Sequence, residues 1–530
     1  MRLHFNGFLT VAVVALLLMI LVLMANSAVK QVSSVKAAPL STSNIDRFIM
    51  KRMTEETIPG MAVVVTRDSD VTYLKGFGVN SVQELSSVTP QTVFDLASCS
   101  KSFTAVAVLL LWHDGLIDLE SPVCHYLPDF RLADPQAVER ITVQQLLYHT
   151  SGLPGVFAEP LAFHSGEDAM QKLVAAMQKV HLNHSPGSSF EYSNLNYSLL
   201  GALVERVSGM TFEEFMEQRI FTPLGMTHST LYPNVAAQME RADGHQLMFG
   251  HVVVRNIRLY RSAAPAGWVM STAEDMGKWL LVHLNEGRIN NRQVIPAEVI
   301  KEAHTPGISF EQNGEEIAYG MGWFIGQPTD ALPAIWHGGD TPNFVAEMIL
   351  VPEHRLGVVM LANGQTGSTI HSIAAGVASL ELGQELQLPG APWWASWYAA
   401  DRIATGALVL SLLFLVALVV HVWQQWHHWN RWAPDKADVP SAGCSFRAWR
   451  IVLPATPLAI LGISVLVAFI VVQAIFGFNM FRVMTRFGSY APPGVAISAI
   501  ILFAVICLWA LVLASMTILG IKARVRMHDK

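Results

Sequence analysis

Phe94-Asp95-Leu96-Ala97-Ser98-Cys99-Ser100-Lys101-Ser102-Phe103-Thr104 runs straight into the apolar stretch Ala105-Val106-Ala107-Val108-Leu109-Leu110-Leu111-Trp112. Ser98 and Lys101 are three residues apart, which on a helix puts their side chains on one face. Burial in so apolar a helix penalises the charged ammonium and can let Lys101 act as a neutral base. A neutral lysine beside a hydroxyl is one way to make serine nucleophilic without histidine. The spacing alone is a weak signal. Ser33-Ser34-Val35-Lys36 shares it in a polar segment with no helix behind it, and Ser98 could equally be a helix cap with an ordinary lysine one turn on. Partners elsewhere in the chain have to decide.

Two stretches offer them. Phe190-Glu191-Tyr192-Ser193-Asn194 follows the turn Pro186-Gly187 and precedes an apolar helix. A tyrosine near an ammonium can be held as phenolate, or can shuttle a proton between nucleophile and leaving group. The Asn194 amide can bond both the lysine and a substrate amide. Trp336-His337-Gly338-Gly339-Asp340 ends a predicted strand, where glycines let a ligand backbone approach the edge. The N–H groups of Ser98 and Asp340 could then form an oxyanion hole, with His337 and Gly339 beside the substrate. Each piece also has a plainer reading. Tyr-x-Asn recurs at Tyr232-Pro233-Asn234 and His-x-Gly at His164-Ser165-Gly166, and a lone strand-end histidine is more often structural.

The chain has 530 residues, with 52% hydrophobic and only 14% charged residues, too apolar for an ordinary soluble enzyme. The excess is localised. Phe8 to Ala25 is an uncharged apolar run behind Arg2, so residues 1–28 read as a secretory signal, with Ala25-Asn26-Ser27 as cleavage site, or as an uncleaved anchor. After a short linker at 391–402, residues 403–530 read as a membrane domain with three transmembrane helices, 403–423, 451–476 and 493–521. Trp423, Trp426, Trp429 and Trp432 cluster at one end of the first span, as an interfacial belt does. Within residues 403–530 the 424–450 loop and the tail hold most of the Lys and Arg, which places them in the cytoplasm and residues 29–390 outside the cell membrane. Residues 403–530 carry 10 Lys+Arg and 3 Asp+Glu, leaving 25 against 38, a net −13, for residues 1–402. An acidic outer domain argues against nucleic acid as a partner. Cys99, Cys124, Cys444 and Cys507 make no disulfide framework, and no Cys/His set has metal-ligand spacing.

Periodicity predicts a helix over 41–56, β runs at 61–66 and 71–76, and the Ser98 helix closing near Gly115. A mainly helical lobe over about 98–230 follows, with helices at 143–147, 169–180, 195–207 and 212–220. After a helix at 273–284 the strands return at 320–325, 334–336, 344–351 and 356–361, with a last helix over 370–382. The expected fold class is therefore α+β: one antiparallel sheet in two discontinuous pieces, flanked by helices, with an all-helical lobe between them. A cleft at the lobe junction is a favoured place for a site.

Ser98/Lys101 on a helix, Tyr192/Asn194 in a lobe loop and His337/Gly339 on a late strand have the order of class C β-lactamases and their relatives. The chain thus resembles the serine β-lactamase and penicillin-binding protein superfamily. Leu146-Leu147-Tyr148-His149-Thr150-Ser151-Gly152-Leu153-Pro154, Thr222-Pro223-Leu224-Gly225-Met226, Pro265-Ala266-Gly267 and Ser271-Thr272-Ala273-Glu274-Asp275-Met276 look like this family too, so the likeness covers roughly residues 40–385. It implies a class C β-lactamase-like fold and acyl-enzyme hydrolysis of a small peptide, amide or ester, with no cofactor and no metal. Ser98, Lys101 and Tyr192 would be catalytic, and Asn194, His337, Gly339 and Asp340 would bind substrate.

The β-lactamases of the family carry lysine at the position of His337, and histidine there is more like its D,D-peptidases, D-amino-acid peptidases and esterases. An outer domain followed by three spans resembles the prodrug-activating peptidases of natural-product clusters, which remove an acylated D-asparagine. Asp95 could serve as their carboxylate near the nucleophile. Asn194, Thr341 and Ala263 stand where those enzymes have serine, asparagine and histidine. The expectation is a membrane-anchored extracytoplasmic serine peptidase for D-residue peptides. An esterase or β-lactamase of the same fold, or a penicillin-binding sensor, is the alternative.

Overall fold

The computed structural model describes residues 42–155, 163–312, 314–327, 333–364, 369–384 and 397–431, with scattered residues between 497 and 512. Helix α1 (Thr42–Glu56) leads into a hairpin of β1 (Gly60–Arg67) and β2 (Asp70–Gly78), turned at Asp68-Ser69. β1 is buried from Gly60 to Thr66. Ala62 and Val64 enter one core, while Met61, Val63 and Val65 enter another. A strand covered on both faces has to be apolar throughout rather than alternating, which is how Met61-Ala62-Val63-Val64-Val65 reads.

The chain then leaves the sheet and returns as β3 (Ile308–Gln312), β4 (Glu315–Tyr319), β5 (Phe324–Gly326), β6 (Ala334–Asp340), β7 (Val345–Val351) and β8 (Leu356–Ala362). Eight strands make one antiparallel sheet in the order β2-β1-β8-β7-β6-β5-β4-β3. The β3–β4 hairpin was not expected. Its strands bury few apolar side chains, so alternation is faint, yet Asn313-Gly314 is a strong two-residue turn signal and Gly314 has φ 86°. The strand expected over 320–325 shrinks to β5. Gly322, at φ 83°, turns instead against α2 (Ser100–His113), where a Cβ would meet Lys101 O at 2.8 Å.

One face of the sheet carries α2, α3 (Asn194–Ser208) and α4 (Ala273–Leu284) with the large core. α2 is buried from Ser100 to Leu111, and its all-round apolar sequence suits the centre of a lobe. α4 starts where the sequence places it because the Thr272 hydroxyl accepts from the Asp275 amide. The other face is covered by α1 and α5 (Thr369–Glu381) through Ile45, Ile49, Met53, Ile373 and Val377. After the lobe comes a hairpin, His245–Met248 with His251–Val254, that periodicity did not reveal.

A second unit takes in Leu247–His251 and the chain from Ala399. Its helix α6 (Trp397–Arg431) contains one stretch, Asp401–Val420, long and apolar enough to cross a membrane. The Asp401 carboxylate accepts from the amides of Phe249 and Gly250. The expected N-terminal signal or anchor, the span at 451–476 and most of the one at 493–521 lie outside the described residues.

Candidate active site

Ser98 sits in a single 3₁₀ turn, Ala97–Cys99, immediately before α2. Ala97 has φ 48°, a left-handed conformation that costs a residue with a Cβ about 1–2 kcal/mol. The surroundings hold it there. Leu96 N donates to Val269 O at 2.8 Å, and the Cys99 thiol donates to His337 O at 3.2 Å. Ser100 Oγ accepts from Val269 N at 2.9 Å, and Thr104 Oγ1 donates to Pro265 O at 2.6 Å. These bonds press Pro265-Ala266-Gly267 onto α2 and so bring Ala266 O to Lys101.

Lys101 is fully buried, whereas Ser98 one turn back is half-buried. Lys101 Nζ donates to Ser98 Oγ at 3.1 Å, Asn194 Oδ1 at 2.6 Å and Ala266 O at 2.8 Å. Three acceptors match the three protons of a lysine ammonium, so the neutral form expected from burial would have to give up one of these bonds. Nζ also lies 4.8 Å from the centre of the Tyr192 ring. The Ser98 turn, the first residue of α3 and the Pro265 segment thus converge on one nitrogen, with the Tyr192 ring beside it.

His149, which sequence reasoning left unassigned, brackets Tyr192. Its carbonyl accepts from Glu191 N at 2.9 Å, and its Nδ1 accepts from Ser193 N at 3.2 Å, one bond on each side of the tyrosine. The two rings stand 4.4 Å apart. Burial, reinforced by the Lys101 charge, pushes His149 well below the usual histidine range, so it stays neutral with its proton on Nε2. The only signal was its place in the phrase Leu146-Leu147-Tyr148-His149-Thr150-Ser151-Gly152.

β5 pairs with β6 only from Ala334 to Trp336, so along His337 to Asp340 that edge of β6 has no β5 partner. Gly339 is the point of closest approach. A Cβ on it would lie 2.2 Å from Leu96 O and 2.9 Å from Ser98 N, so only glycine lets the strand meet the Ser98 turn. Asp340 ends the strand with its side chain exposed.

His337 is enclosed, not open beside the nucleophile as expected. It is 1% exposed, with Nδ1 donating to Gly338 O at 2.7 Å and Nε2 accepting from the Tyr319 hydroxyl at 3.2 Å. Burial, with the Lys101 charge, pushes it down to about 3, so the ring is neutral and enclosed against Tyr319. Asp95 is likewise taken. Its side chain has no exposure and pairs with Arg241 Nη2 at 2.6 Å, so it is not a free carboxylate for a ligand. Thr341 Oγ1 bonds Phe344 O, and Ala263 is buried. Among the described residues no three His, Cys, Asp or Glu side chains gather as a metal site.

The Beta-lactamase family matches residues 45–380. Protein flp of Staphylococcus aureus (strain N315) is 28% identical over 323 residues, which are 61% of this chain and 63% of that protein. Penicillin-binding protein 4 of Amycolatopsis lactamdurans is 29% identical over 332 residues, 60% of this chain and 84% of that one. The octameric penicillin-binding protein homologue from Pyrococcus abyssi superposes with a TM-score of 0.58 at 26% identity, covering 69% of this chain and 81% of its own. The chain therefore spans less than two thirds of Protein flp. With the antiparallel sheet, the helical insertion and a family match over residues 45–380, this chain belongs to the β-lactamase family, within the serine β-lactamase and penicillin-binding protein superfamily.

Proposed function

We propose that this protein is a membrane-anchored serine hydrolase whose catalytic domain lies outside the cytoplasm and acts on small peptides containing D-amino acids. The observation that carries this reading is Lys101 Nζ, which meets Ser98 Oγ and Asn194 Oδ1 at once beside the Tyr192 ring. Ser98 Oγ attacks the amide carbonyl once Lys101, having given up one of its three donated bonds, is neutral and takes the Ser98 proton, which then passes by way of Tyr192 to the leaving amine. The C–N bond breaks, an acyl ester forms on Ser98, and water then releases the acid. The amides of Ser98 and Asp340 hold the oxyanion, and the open edge of β6 takes the substrate backbone. A buried, neutral His337 where the family's β-lactamases place lysine favours a peptidase over a lactamase.

Anchoring is supported by Asp401–Val420 and by Val409, Leu412, Val416 and Val419 on α6, each at least half exposed. The positive loop at 424–450 supports the orientation.

Incubation of the full-length protein with a fluorescent penicillin and with D-Ala-D-Ala-type peptides, beside Ser98→Ala, tests the chemistry. The reading expects Ser98-dependent labelling and peptide turnover. Trapped penicillin with no peptide turnover would favour a sensor instead. Equal activity in Ser98→Ala would remove the nucleophile assignment. In a Cys124→Ser background, an impermeant maleimide should reach Cys444 only after cell lysis, and labelling of intact cells would reverse the orientation.

A further inference from the structure

Gly338 has no side chain, and the space a Cβ would fill is occupied by Glu347. A Cβ built there would lie 2.7 Å from Glu347 Oε2. The two residues are cross-strand partners on β6 and β7. Glu347 is 3% exposed, and its Oε1 meets His371 Nδ1, on α5, at 2.9 Å. A buried carboxylate therefore supports the strand one residue before Gly339, which packs on Ser98. Its charge is also felt in the Ser98 turn, where it adds to burial in raising the Cys99 thiol.

We propose that Glu347 and His371 are a positioning pair for the β6 edge. The carboxylate fills the gap under Gly338, the imidazole holds the carboxylate, and losing either lets Gly338–Asp340 drift from Ser98. A carboxylate at this depth is costly unless neutralised, and His371 is the neutralising group. Burial alone would lower His371, but the charge and hydrogen bond of Glu347 outweigh it and raise the imidazole. The pair is thus complete below the ordinary histidine range and is lost as pH rises through the raised value.

The other elements packed on α5 do not supply a substitute. β8 (Leu356–Ala362) presents no titratable side chain, and α1 presents Glu56, beside Thr369 and 3.7 Å from Arg52. His337, the neighbour of Gly338, is held neutral, and Asp340 lies at the strand end.

The kinetic part of the test rests on Ser98 being the nucleophile, and the spectroscopic part does not. Acylation of the full-length protein by a fluorescent penicillin is followed from pH 5.5 to 9. Wild type should lose about tenfold in rate as His371 deprotonates. Glu347→Gln keeps the shape and a hydrogen bond, so it should hold a near-wild-type neutral rate and show no such alkaline loss. Glu347→Ala, which empties the gap, should be about 10–100-fold slower at every pH, the scale of ångström-level misplacement. Gly338→Ala alone should also be slow, but Glu347→Ala/Gly338→Ala should regain rate, because the new methyl fills the emptied gap. In ¹⁵N-glycine-labelled protein, the Gly338 and Gly339 amides should titrate with His371 in wild type and not in Glu347→Gln. Amides that follow His371 in a protein that penicillin never acylates would retain the pair and discard the hydrolase reading. Wild-type and Glu347→Gln profiles that coincide, with amides indifferent to His371, would overturn the pair.

Discussion

Gly339 offers the sharpest test of how the sheet meets the Ser98 turn. In Gly339→Ala the new Cβ would lie 2.2 Å from Leu96 O, 2.9 Å from Ser98 N and 3.0 Å from Ala97 Cβ, where ordinary contact begins at 3.4 Å. The two nearest atoms are backbone, so no side chain can swing away. The strand and the turn must separate by about 1.2 Å, the shortfall between these contacts. A misplacement of that size typically costs about 10²-fold in rate, or about 2.7 kcal/mol of transition-state stabilisation. Overpacking costs stability by about 1–3 kcal/mol, only a few degrees in a domain this large. The expected signature is a fold that survives and an acylation rate that collapses. Penicillin acylation kinetics beside a thermal melt measure both. Gly267→Ala is the control, since its Cβ would meet Ala97 C at 3.8 Å, an ordinary distance. Gly339→Ala acylating within twofold of wild type would refute the close approach.

Three further changes probe the surroundings of the site. Arg241→Met leaves Asp95 buried without its cation, which should lower stability by about 3–5 kcal/mol in chemical denaturation, and adding Asp95→Asn should restore most of it. His337 stays neutral down to about 3 while the unfolded chain binds a proton near 6.5. Wild type should therefore lose up to about 1.4 kcal/mol per pH unit through this residue as pH falls below 6.5, and urea midpoints of His337→Gln from pH 4 to 7 should be flatter by that amount. Identical slopes would sink the assignment. Ala97→Gly should hold or raise the melting temperature, because glycine adopts φ 48° without strain, whereas Ala97→Val should lower it clearly.

Local pattern was enough to read much of this molecule. The β run expected over 61–66 lies within β1, and the helix expected over 273–284 is reproduced residue for residue. The α+β order of the pieces follows from the same periodicities. Ser98 with Lys101 was legible as a pair because three residues along a helix put both side chains on one face, whereas Tyr192 and Asn194 were legible only as a short polar phrase before an apolar helix. The β3–β4 hairpin escaped the sequence reading, because weak burial left its strands without a period to notice.

What spacing cannot show is which distant residue satisfies a buried polar group. A histidine at a strand end looks available to a ligand, and the fold encloses His337 against Tyr319 instead. Asp95 looked like a free carboxylate until Arg241 closed on it from far along the chain. Glu347 and His371 gave no usable signal at all, and His149 only its place in the phrase Leu146–Gly152. Their roles arise only when separate elements pack together, since a hydrogen bond or ion pair depends on distance in space and not on distance along the sequence. The sequence alone determined most of the elements and the set Ser98, Lys101, Tyr192 and Asn194. The tertiary structure decided which polar residues gather around Lys101 and which are enclosed to hold them in place, because only packing brings distant residues within hydrogen-bond reach.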